Sequence, residues 1–141
     1  MCSSILKLDF ENLAGQKHYS SAKTYYQNKL ALLMLSLYMR KHWKGIKVQA
    51  IRVTNVKVDM RRYDHLSAFM KKLYKIKSRF SISPEEMAKV YTALSTEDGY
   101  DGFLYDEKCR EVKANRSAYE EEGQAKFYSL LEQLTFSRDN L

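Results

Sequence analysis

After Ser20-Ser21, apolar residues recur at Tyr26, Leu30, Leu33, Met34 and Leu37. Steps of three and four residues predict an amphipathic helix. Ser20 or Ser21 is the expected cap, with the last turn near Trp43 and Gly45 as the stop. The pattern then changes. Ile46, Val48, Ala50, Ile51 and Val53 form a nearly continuous apolar and β-branched run. Such a run predicts a strand covered on both faces, as at the centre of a parallel sheet. Thr54 to Arg62 is expected to leave that strand as a loop.

Leu66, Phe69, Met70 and Leu73 stand at i, i+3, i+4 and i+7, with Lys71, Lys72 and Lys75 off the stripe. This predicts a basic amphipathic helix. Ser83-Pro84-Glu85-Glu86 carries a capping serine, a proline at the first helical position and a glutamate that closes a capping box. Its helix should reach about Ser95. Asp98-Gly99-Tyr100-Asp101-Gly102 is a turn cluster, and Phe103-Leu104-Tyr105 a short strand after it. Ser117-Ala118-Tyr119-Glu120 reads as a second capping box, opening a last helix to about Leu134. Residues 1–20 look irregular, around Leu6, Leu8, Phe10 and Leu13. The order helix, strand, helix, helix, strand, helix says α/β.

A chain of 141 residues with 45% hydrophobic and 29% charged residues and one proline is globular in composition and one domain long. The net charge of +7 tilts it toward anionic partners. Cys2 and Cys109 are far apart, with no metal or disulfide spacing, which suits a reducing, cytoplasmic setting. Met1 to Lys7 lacks the apolar core of a signal peptide. The apolar run from Leu30 to Met39 is broken by Ser36 and too short to span a bilayer. His18, His42 and His65 offer no metal-ligand spacing with the cysteines.

Tyr25 and Lys29 are four apart on the long helix and share one face. A tyrosine is ordinarily too weakly acidic to act as a base at neutral pH. A nearby ammonium favours the phenolate, which can take a proton from an alcohol, while the phenol can give one to a carbonyl. The chain has eleven tyrosines, and Tyr19 and Lys23 repeat the spacing. Position favours Tyr25 and Lys29, since Tyr19 precedes the expected cap.

The surrounding order narrows the reading. Ser3-Ser4, then Leu8-Asp9-Phe10-Glu11-Asn12-Leu13, then Tyr25-Tyr26-Gln27-Asn28-Lys29-Leu30-Ala31 resembles the short-chain dehydrogenase/reductase family, in its retinol-dehydrogenase-like branch. Ser83-Pro84-Glu85-Glu86-Met87-Ala88, the glycine-bearing turn, Phe103-Leu104-Tyr105 and Lys113-Ala114-Asn115 before Tyr119 continue the likeness in family order. The resemblance implies residues 1–141 as one carboxy-terminal, catalytic half of that domain. It implies an incomplete Rossmann-type (doubly wound) fold with about two strands and four helices. By position, Ser4 matches the serine that hydrogen-bonds the substrate oxygen, Tyr25 the proton donor or acceptor, and Lys29 the lysine that favours the phenolate and holds the nicotinamide ribose. The implied cofactor is NAD or NADP, and the implied substrate a small alcohol or carbonyl.

The chain departs from that pattern in three places. Val53-Thr54 stands where the family has Pro-Gly, and Val58 about where it has a threonine near the nicotinamide. The segment from Ser4 to Leu8 is short. Gly15, Gly45, Gly99, Gly102 and Gly123 form no Gly-rich loop after a strand, so the pyrophosphate site and the residue that reads NAD against NADP belong to an absent amino-terminal half, with its catalytic asparagine. The expectation is a chain inactive and marginally stable alone, which self-associates or joins a complementing chain. The alternative is a non-catalytic relic or an interaction module. Thirteen Lys and Arg against Asp59 and Asp64 between Arg40 and Arg79 leave three readings: membrane-surface docking, phosphate contacts to nucleic acid, or a solvated basic face. The resemblance favours the last, because it puts the Leu66 helix over the substrate cleft. No nucleic-acid motif supports the second.

Overall fold

The computed structural model describes residues 7–13, 15–54, 56–57, 59, 66–79 and 81–136. These hold four α-helices and a two-stranded parallel sheet, a mixed α/β arrangement. They divide into two compact units: the residues up to Ala50 together with those from Lys113 on, and Ile51–Val112.

The first unit is helical. Helix α1 covers Ser21–His42, close to the expected span. Ser20 sits at the cap in extended conformation, but its side chain makes no capping hydrogen bond. Arg40, Lys41 and His42 fill the last turn, where positive charge suits the helix dipole. Gly45 follows at φ +78°, in the left-handed region. One face of α1 buries Gln27, Leu30 and Met34. Leu30 and Met34 form a core with Leu8 and Ala118, flanked by Phe10, Leu37 and Phe127.

Gln27 is a polar residue on that apolar face, and both ends of its amide are hydrogen-bonded. Its amide oxygen accepts from the Asp9 N–H at 2.8 Å. Its amide nitrogen donates to the Lys7 carbonyl at 2.8 Å. One side chain thus ties the segment before α1 along the helix. Gln27→Ala is expected to cost this unit about 2 kcal/mol, two hydrogen bonds at ~1 kcal/mol each. A urea titration followed by circular dichroism measures it.

Helix α4 spans Glu121–Phe136. Its start differs from the box expected at Ser117. Asn115 is the capping residue there: its side chain accepts from the Ser117 N–H at 3.1 Å and opens a 3-10 turn over Arg116–Tyr119. Ser117 and Ala118 are buried within that turn, so Ser117 is not free to cap a solvent-facing helix start. Glu121 and Glu122 then occupy the first turn of α4. Gln124 Nε2 donates to the Ala118 carbonyl at 2.7 Å. A Cβ at Gly123 would lie 2.8 Å from Met34 Cε, which shows how closely α4 approaches α1. The Tyr38 ring stacks on both His42 and Tyr128, at 4.2 and 4.3 Å.

The second unit carries the sheet except for its first residue, Ala50. Strand β1 is Ala50–Arg52 and β2 is Leu104–Asp106. Between them lie α2, Ala68–Ser78, and α3, Pro84–Thr96. The run from Ile46 to Val53 predicts a central strand covered on both faces. Only three of its residues pair, Ile51 is half-buried, and Ile46 and Val53 are exposed. A strand pairs only where a neighbour faces it, and β2, its one neighbour among the described residues, is three residues long. Val56 adds a parallel bridge to Ile82 within the expected loop.

Helix α3 begins as its sequence predicts. The Glu86 N–H donates to Ser83 Oγ at 3.1 Å, and the Ser83 N–H donates to the Glu86 carboxylate at 2.7 Å. Met87, Val90 and Leu94 of α3 pack with Tyr105 in a second core, beside Ile51, Val56 and Ile82. All three residues of β2 are buried. Helix α2 also forms where expected, but its apolar stripe stays in solvent: Phe69, Met70 and Leu73 are 69%, 50% and 48% exposed.

Candidate functional site

Helix α1 decides where Tyr25 and Lys29 lie. At 100° per residue, positions 25 and 29 stand opposite 27, 30 and 34, the buried face. Both side chains are therefore exposed, side by side on the outer face of the helix. The Lys29 ammonium lies over the Tyr25 ring, 5.5 Å from its centroid, within cation–π range. Tyr26 meets the Tyr25 ring edge-on at 5.5 Å. The rival pair is arranged differently. Tyr19 precedes α1, and Lys23 is drawn to Asp9, at 3.1 Å. Ser4 lies outside the described residues, as does Val58.

The arrangement has the parts of an acid/base pair without a cleft around them. A depression beside the start of α1 is lined by Asp9, Asn12, His18, Lys23, Thr24 and Gln27, among others, with a cavity volume of about 10 Å3. That is the room of one water. A ligand pocket needs roughly 300–1,000 Å3. This depression is too small to hold NAD or NADP. Among the described residues no group of three His, Cys, Asp or Glu could hold a metal ion, and no helix is long and apolar enough to cross a membrane.

One buried charged cluster went unnoticed in the sequence. Asp106, at the end of β2, is 2% exposed. The chain turns back on itself there, with Asp106 N–H to the Arg110 carbonyl at 3.0 Å and Val112 N–H to the Leu104 carbonyl at 2.8 Å. The Asp106 carboxylate accepts from the Arg110 guanidinium at 2.7 and 2.9 Å, and from the Lys108 and Arg110 backbone N–H groups at 2.9 and 3.0 Å. The Arg110 hydrogen bonds, helped by the two backbone donors, hold its pKa at about 2, against desolvation by burial. This clasp fixes a turn. Its signal was an acid directly after an apolar triplet, four residues before an arginine. Gln27 was equally missed, and its signal was an amide on the apolar face of a helix.

The chain was compared with protein-family models, curated proteins and solved structures, and none matches it.

Proposed function

We propose that this chain is the catalytic half of a short-chain dehydrogenase/reductase unit of the retinol-dehydrogenase-like branch, an incomplete Rossmann-type fold that acts on a small alcohol or carbonyl. The observation that carries the reading is the exposed Tyr25–Lys29 pair, set on the face of α1 opposite its core. Tyr25 Oη exchanges a proton with the substrate oxygen. Lys29 sets a positive charge beside the Tyr25 ring. Ser4 orients the same oxygen. Tyr25 and Lys29 hold the nicotinamide ribose of NAD or NADP, and a complementing chain holds its pyrophosphate, since no Gly-rich loop occurs in this sequence.

The test is a titration of the 141-residue chain with NADH and NADPH, followed by cofactor fluorescence. No saturable binding is expected up to millimolar concentration. Micromolar binding by the chain alone would contradict the assignment of the pyrophosphate site to a complementing chain. A non-catalytic interaction module is the second reading, favoured by the exposed apolar side of α2. Turnover that depends on Tyr25 separates the two.

A further inference from the structure

Helix α2 has two sides of opposite chemistry, and solvent reaches both. Phe69, Leu73 and Ile76 share one stripe with Met70 at its edge, and all four are about half exposed or more. Lys71 and Lys75 are on the other side and Lys72 flanks the stripe, with Lys72 and Lys75 exposed. Residues 66–79 contain no Asp or Glu. The helix is 11 residues, about 16 Å, long.

From this we infer that α2 docks on an anionic lipid surface. The apolar stripe enters the boundary between headgroups and acyl chains, while the lysines reach the headgroups. The charge selects this occupant over the others. A second copy of α2 packed stripe to stripe would cover the apolar side chains but leave the lysines without an anionic partner. A nucleic acid would meet the lysines but leave the four apolar side chains in water. A lipid surface with negative headgroups accommodates both sides at once. This inference is independent of Tyr25 and Lys29.

The test is co-sedimentation of the full chain with vesicles of phosphatidylcholine alone, or with a third of it replaced by phosphatidylserine. Binding is expected on the mixed vesicles at least about ten-fold more tightly than on the neutral ones, weakening about five-fold for each of Lys72→Gln and Lys75→Gln. Leu73→Asp with Ile76→Asp is expected to abolish it while leaving the circular dichroism spectrum unchanged, because neither side chain is in the core. Three results overturn the inference. One is no binding to either vesicle. Another is binding that survives Leu73→Asp with Ile76→Asp, which would be the general attraction of a basic chain. The third is self-association without vesicles that the same pair of substitutions dissolves, which would make a second copy the occupant.

Discussion

Tyr25→Phe is expected to lower turnover by roughly 10²- to 10⁴-fold, the range for removing a general acid or base, in any assembly in which this chain is active. The effect should fall on kcat with KM little changed, because the lost hydroxyl acts on the proton in the transition state. Stability should hardly move. The ring is 58% exposed, and no partner for its hydroxyl occurs among the described residues. Lys29→Met should also reduce turnover, with no loss of folding, since Lys29 is likewise in solvent. Tyr19→Phe is the control. It keeps the alternative pair's position but lies ahead of α1, and turnover should stay unchanged. Equal losses from Tyr19→Phe and Tyr25→Phe would remove the reason for choosing one pair over the other.

Asp106→Ala is expected to destabilise the unit formed by Ile51–Val112 by about 3 kcal/mol, as removal of a buried hydrogen-bonded carboxylate does. Two backbone N–H groups and a guanidinium lose their acceptor at once. Arg110 is 69% exposed, so it recovers water, and most of the cost lies with the turn. The same group sets a pH dependence. Its pKa is lowered from 3.8 to about 2 in the folded chain, so the folded state favours the charged carboxylate. The stabilisation, about 2 kcal/mol at 1.36 kcal/mol per pKa unit, is present above about pH 4. It is lost as the pH falls from there toward 2. Urea midpoints for the native chain and Asp106→Ala at neutral pH and near pH 2 measure this. The two curves should converge at the acid end. A gap that stays constant with pH would show that the carboxylate charge is not what the turn uses.

Elements with a self-contained local signal were legible in the sequence. The Ser83 box needs only residues 83 to 86, and α3 starts there. The outward placement of Tyr25 and Lys29 also follows from spacing, because both are out of phase with Leu30 and Met34. Signals that depend on a distant partner were not legible. The Ile46–Val53 run has the composition of a strand, but its pairing was decided by the length of β2, some fifty residues on. The Ser117 box failed because Asn115, two residues earlier, took the capping role. Gln27 and Asp106 act on backbone groups brought to them by the fold. The exposure of Phe69 and Leu73 could not be read from periodicity, which gives the apolar side of a helix but not what covers it.

The most direct measurement is alcohol-dependent reduction of NAD or NADP by this chain mixed with the dinucleotide-binding half of a short-chain dehydrogenase, each half also assayed alone. The account predicts turnover in the mixture and none in either half. A mixture that binds NADH saturably yet turns over no alcohol or carbonyl would contradict it.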